Sequence, residues 1–400
     1  MDKNVFEMQK EKSFFLRVLE DYLNKRITKV PDGLNWRILE LIGQTQQLTG
    51  VLYHQCRNDI VQSGLPTETK TNLKRTYLYN FYLYTKRLKL LEQIGTEFQK
   101  GKIPYLIFKG TEVATFYPVP AQRTMYDMDL LVHEEDKQKA GDILVRLGFT
   151  LDTSLPVEWF ASKDEMEIEL HHRLIYDYHS VEIKTLQNWG DRVWNYTVVQ
   201  KDKVQNRIDL TYHLVFVLLH LRKHFLLEGV GFRQFMDVAV LASQPEVNWQ
   251  QALLWLKDLK LEKFSQVCFA FCKRWFGVSI PITVAELGEE FYNDATERVF
   301  NYGFGELVEE KKENKVFNEV HFKKTSGIVF ILKRAFLPYS VMRNISYCKF
   351  LDGKPYLLPV AWLWRFLYIV CTGGLIPCFK AAYGGNTIKK KEERLSNWGL

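Results

Sequence analysis

The chain has 400 residues, 46% hydrophobic and 25% charged, which fits a globular protein and excludes disorder over most of its length. Its 54 basic and 47 acidic side chains leave a net charge of +7, mild for the size. That balance suits an anionic ligand such as a nucleotide but gives no strong nucleic-acid signal.

The first residues, MDKNVFEMQKEK, lack the apolar stretch of a secretory signal. Six cysteines are scattered with no CxxC pair; Cys268 and Cys272 lie one helical turn apart in an apolar segment and read as buried free thiols. The expected location is a reducing cytoplasm.

Residues 1 to about 100 read as helices. FFLRVLEDYL and NWRILELIGQTQQLTGVLYHQC carry apolar residues at three- and four-residue steps. Gly64-Leu65-Pro66 breaks the pattern, Thr67 is placed to cap the next helix, and that helix runs from about Glu68 to Gln99 with Gly101 at its end. At Ile103 the texture changes. IPYLIF is a short β-rich run closed by Lys109-Gly110, followed by a helix over about Thr111–Phe116 and a loop at Pro118 and Pro120.

Next comes RTMYDMDLLV, with a strand from about Met128 to Val132. Glu134–Phe149 then reads as a helix packed on a sheet, with Ala140, Ile143, Leu144 and Leu147 as its apolar face. In MEIELHHRL, Met166, Ile168 and Leu170 alternate with Glu167, Glu169 and His171, the period of a half-buried strand. From Ile208 the pattern is helical again, and 308–324 reads as a highly charged exposed stretch. The order implies an α+β protein with a small mixed sheet: a helical region over 1–100, an α/β module over 101–200 and a mostly helical region over 201–400.

Asp127 and Asp129 project from the same face of a strand. Two such carboxylates repel unless one takes a proton or a cation neutralises both. Magnesium is the usual cation for oxygen-only ligands, and a pair of ions can hold both the attacking and the leaving oxygen in phosphoryl transfer. A third carboxylate on a neighbouring strand would complete the set, and the sequence offers Glu167 or Glu169.

The run IPYLIFKG, Arg123, DMDLLV, AGDILVRLGF and IELHHRL resembles the bacterial nucleotidyltransferase-like family of the DNA polymerase β superfamily. The helical stretch His213–Leu241 is similar to that family's C-terminal helices. The resemblance implies a polymerase β-like module flanked by helical regions. It implies Mg2+, two ions, held by Asp127, Asp129 and Glu169, with Glu169 also helping to deprotonate the attacking hydroxyl. A nucleoside triphosphate would be the donor, its phosphates met at Lys109, Gly110, Thr111 and Arg123. The acceptor is unspecified: a small molecule, a sugar, a protein or an RNA end. One departure stands out. The better-known members carry a Gly-Ser turn closer to the aspartate pair, whereas here the turn is Gly110-Thr111 and Asp127 follows seventeen residues after Gly110.

Each of these residues also has a purely structural reading. Lys109 can be a strand-end lysine, Arg123 a salt-bridge partner, and His171 a satisfied polar residue. Arg173, His220, His224, Arg233 and Asp237 are candidates for substrate contact or support. His213, His220 and His224 fall on one helical face. His220 and His224 have the spacing of a zinc pair, but the Glu of HExxH is absent and core histidines bonded to the module are the favoured reading.

Leu357–Pro377 is long enough to span a bilayer, but Arg365 lies near its middle, so a buried or interfacial helix is expected and no stable membrane insertion. The expected function is Mg-dependent nucleotidyl transfer. The alternative is an inactive nucleotide- or partner-binding module on the same fold. A metal-dependent sugar transferase is disfavoured, because such enzymes place a nucleotide-binding α/β half before DxD and this chain has only helices and one strand there.

Overall fold

The computed structural model describes residues 3–62, 65–154, 158–175, 183–199, 203–227, 229–301, 339–342, 346–351, 353–371 and 396–400. Four helices come first: α1 (Lys3–Leu23), α2 (Trp36–Thr45), α3 (Thr49–Gln62) and α4 (Thr67–Gly101). The expected breaks are present, with two local differences. Thr67 is the first helical residue rather than the cap, a place Pro66 takes. The left-handed residue closing α4 is Lys102 at φ 54°, not Gly101; its N–H and that of Ile103 bond back to Gln99 and Phe98.

The sheet has seven strands in the order β3-β4-β5-β2-β1-β7-β6. They are β1 (Tyr105–Phe108), β2 (Asp127–Val132), β3 (Thr150–Asp152), β4 (Glu158–Lys163), β5 (Met166–His171), β6 (Thr197–Val198) and β7 (Gln205–Ile208). β2 pairs antiparallel with β1 and parallel with β5, which makes the sheet mixed. Between them lie α5 (Lys109–Ala114), α6 (Lys137–Arg146) and α7 (Ile183–Gly190). α5 starts on the residue after β1 and so turns Lys109 and Gly110 in toward the sheet.

Strand alternation divides the sheet into two faces. Ile107, Met128, Leu130, Ile168 and Leu170 face Leu90, Leu91, Ile94 and Phe98 of α4 and Ile143 and Leu144 of α6. Leu106, Phe108 and Leu131 face the other way. They join a larger core that includes α1, α3 and the helices α8 (Leu210–Leu227), α9 (Phe232–Ala242), α10 (Trp249–Asp258) and α11 (Glu262–Phe276). The period-two residues not in the first core, Asp127, Asp129, Glu167, Glu169 and His171, therefore sit on the second face, in the layer between sheet and C-terminal helices.

Cys268 and Cys272 are buried free thiols in α11. Burial pushes both thiols up in pKa, as expected of inert core cysteines. Leu358–Cys371 forms a helix, with Val360, Leu363 and Trp364 exposed. Among the described residues no helix is long and apolar enough to cross a membrane. Residues 372–377 of the apolar segment and the charged stretch 308–324 lie outside the described residues.

Candidate active site

The site is built by register. Asp127 pairs with Glu167, Asp129 with Glu169 and Leu131 with His171 across the parallel β2–β5 ladder. Residues opposed in this way present side chains to the same face, about 5 Å apart. Two carboxylates distant in sequence thus meet because two strands lie side by side. One oxygen each of Asp129 and Glu169 and one ring nitrogen of His171 lie within 4.8 Å of one another, a grouping that could hold a metal ion. Glu169, not Glu167, belongs to that grouping; Glu167 is exposed.

Lys109 reaches the same place from the start of α5. Its Nζ donates to Asp129 Oδ1 at 2.6 Å and to Glu169 Oε2 at 3.3 Å. His171 Nε2 lies 3.2 and 3.1 Å from those same two oxygens. Burial disfavours the ammonium, but Asp129 and Glu169 outweigh it and raise the Lys109 pKa. For Glu169 burial again opposes ionisation, and the His171 hydrogen bond with the Lys109 charge overcomes it, holding the carboxyl below its usual range. His171 is raised: burial and Lys109 resist its charging, and its bonds to Asp129 and Glu169 prevail. For Asp127 the Lys109 charge and a backbone hydrogen bond are outweighed. Burial, then Asp129 and Glu169, push its pKa up to about 6.

Behind this cluster lies a second one. Arg123 donates from Nε to Asp237 Oδ1 at 3.1 Å and from Nη2 to Oδ2 at 2.6 Å, a two-pronged pair in which both residues are buried. The Tyr117 hydroxyl adds a bond to Asp237 Oδ1 at 2.7 Å. Arg233 Nη1 donates to the Thr124 carbonyl at 2.9 Å. Gly110 is explained by the same cluster, since a Cβ there would stand 2.1 Å from Arg123 Nη1. The guanidinium fills the space that the sequence reading reserved for phosphate. Thr111 is buried, its hydroxyl 3.5 Å from the Met125 sulfur.

The remaining candidates are spread out. Arg173 pairs with Asp191 at the surface, away from the carboxylates. There, loops after β2 and β5 meet α7 around an open cleft of about 300 Å³ lined by His133, His172 and Trp194 among others. His220 and His224 face each other, Nε2 to Nε2, at 2.8 Å. Burial and then the Lys109 charge hold His220 well below its ordinary pKa, which places it near the cluster as a neutral ring. His213 is completely buried, and among the described residues neither ring nitrogen has a hydrogen-bond partner.

Two residues near the site escaped the sequence reading. Arg87, in the middle of α4, is buried and donates to the Met125 carbonyl at 2.7 Å, just ahead of β2. Phe160 on β4 is opposite Glu169 in register and so shares its face, yet it is 36% exposed. Arg87 had a faint signal, a cation at a seven-residue step between Asn80 and Ile94 on the face that α4 buries. Phe160 had none, because β4 reads EWFASK with no clean alternation.

A family model described as "Uncharacterised nucleotidyltransferase" matches residues 32–277, more than half of the chain. The chain belongs to this family. That span starts ahead of α2 and ends just after α11, so the family includes most of the N-terminal helices as well as the sheet and α8 to α11. No match was found among curated proteins. The solution structure of antibiotic-resistance factor ANT(2'')-Ia is similar over 48% of this chain and 96% of that chain, at 10% identity and a TM-score of 0.30. A likeness of that degree carries no argument here.

Proposed function

We propose that this nucleotidyltransferase family member moves a nucleotidyl group from a nucleoside triphosphate to a hydroxyl of an acceptor, using magnesium held by Asp127, Asp129 and Glu169. The observation that carries the reading is the Asp129–Glu169 register, which brings the DxD strand and the acidic strand together on one face. Asp129 and Glu169 offer the carboxylate oxygens a hard cation takes, His171 adds a ring nitrogen beside them, and Asp127 lies on the same face but outside that grouping. Asp127 is pushed up to about 6 by burial and then by Asp129 and Glu169, and a cation beside these carboxylates would favour its ionised form. When bound, magnesium would polarise the phosphate and stabilise charge on the attacking and leaving oxygens.

In the transfer itself, the acceptor oxygen bonds to the α-phosphorus, the bond to the bridging oxygen breaks, and pyrophosphate leaves as the hydroxyl gives up its proton. Glu169, held ionised, offers that hydroxyl a hydrogen-bond acceptor. Lys109 is the cation nearest the carboxylates and the natural contact for a phosphate oxygen. Arg123 supports the site by locking the turn that carries Gly110 against Asp237.

Lys109 also favours a second reading. An ammonium already bonded to Asp129 and Glu169 is what a non-catalytic binding module would keep. Incubation with each labelled triphosphate, magnesium and cell extract separates the two. Transfer of label that is lost in Asp129→Asn supports the enzyme. Nucleotide binding with no transfer to any acceptor supports the module.

A further inference from the structure

One oxygen of each of two carboxylates that a cation would use is already engaged. Asp129 Oδ1 and Glu169 Oε2 are the two atoms nearest His171 Nε2, and both are taken by Lys109 Nζ, at 2.6 and 3.3 Å. Magnesium binds oxygen at about 2.0–2.1 Å and demands near-octahedral geometry. An ion so placed and an ammonium 2.6 Å from the same oxygen would overlap and repel. The amine is delivered there by an unusual backbone. Lys109 has φ +49°, a left-handed conformation that non-glycine residues rarely adopt, on the residue joining β1 directly to α5. The side chain is not sealed in: it is 17% exposed, and Glu169 beside it 20%. An escape route for the amine therefore exists.

We propose that Lys109 is an exchangeable internal cation: its ammonium holds the seat of a divalent ion in the free chain, and a triphosphate draws it away. The ion and the nucleotide then enter as a unit, since the phosphates give the displaced amine a new partner. This inference rests on the nucleotidyl-transfer reading of the carboxylates. It differs from the binding-module reading, in which Lys109 stays.

The test uses Mn2+ as probe, followed by loss of the free-ion electron paramagnetic resonance signal, in the full chain. Lys109→Gln is expected to bind Mn2+ alone roughly tenfold more tightly than wild type, since one unit charge leaves the seat. Wild type is expected to approach that affinity only with a non-hydrolysable triphosphate analogue present. Adding Asp129→Asn to Lys109→Gln is expected to abolish the gain. Lys109→Met supplies a second readout, a lowered thermal midpoint that Mn2+ restores while the wild-type midpoint barely moves. Equal Mn2+ affinity in wild type and Lys109→Gln, or a gain that survives Asp129→Asn, overturns the inference. The two failures are distinguishable. Tight Mn2+ binding by Lys109→Gln without label transfer by wild type sinks the enzymatic reading alone. Transfer by wild type with unchanged Mn2+ binding in the variant sinks the exchange alone.

Discussion

Two buried charge clusters lie on either side of the turn at Gly110, and they are built on opposite principles. Arg123 and Asp237 are matched: one guanidinium meets one carboxylate through two bonds, and Tyr117 takes up remaining acceptor capacity. Around Lys109 the match fails. One ammonium and one imidazole serve Asp129 and Glu169, and Asp127 is left with a pKa of about 6. A matched buried pair is finished when the chain folds. A mismatched one is completed by something that arrives later.

The largest expected effect breaks the matched pair. Arg123→Met leaves Asp237 buried without its partner and should cost about 3–5 kcal/mol in urea unfolding, whereas Arg123→Met with Asp237→Leu should recover most of that loss. If the double variant is as unstable as the single, the pair is not the closed unit described. Next is the chemistry of the mismatched cluster. Glu169→Gln should lower label transfer about 10²–10³-fold, on the scale of losing one group that stabilises transition-state charge. Its circular dichroism should be unchanged.

His213 gives a pH test of the core beside Asp237. Burial holds its pKa down at about 4, against an unfolded value near 6.5. The neutral ring therefore contributes stability that is fully present above about pH 6.5 and is lost as pH falls toward 4. The loss should approach about 3 kcal/mol and should vanish in His213→Leu, read by denaturation at pH 7 and pH 4.5.

Asp127→Asn sharpens the comparison from the other side. Removing a carboxylate that its neighbours repel should stabilise the metal-free fold by about 1–2 kcal/mol while weakening Mn2+ binding. No such stabilisation is expected on removing the Asp237 carboxylate from the Arg123 cluster. Smallest is Phe160→Ala. A ring already partly in water should cost under about 0.5 kcal/mol in stability. If it meets a ring of the donor or acceptor, KM should rise severalfold with kcat unchanged.

The sequence disclosed these regions unevenly, for physical reasons. That Asp127, Asp129 and Glu169 share a face was legible because strands alternate strictly, whereas the grouping that could hold a metal takes His171 in place of Asp127. The two long core strands, β2 and β5, and the long helix α4 carry strong periods, and their bounds were found within a residue or two. β3, β4, β6 and β7 are short or mixed in pattern, and the seven-strand sheet was not predicted from them. The partner of Arg123 lies more than a hundred residues away, and spacing alone does not assign it. Gly110 shows the same limit. A glycine at a strand-to-helix turn suggests space for a ligand, yet the neighbour that needs the space is a side chain of the protein itself.

The parallel run of β2 and β5 has one more consequence. Parallel neighbours cannot be joined by a tight hairpin, so the chain crosses over after Val132, rejoins the sheet at its edge with β3, and comes back beside β2 only at Met166. That excursion carries α6 and β3 to β4 and ends in a turn at Asp164 and Glu165, whose contacts are surface ones to Tyr79 and Lys86. Relatives are therefore free to gain or lose residues at this turn while both acidic strands stay paired. Length differences among family members should gather there, and not between Asp127 and Asp129.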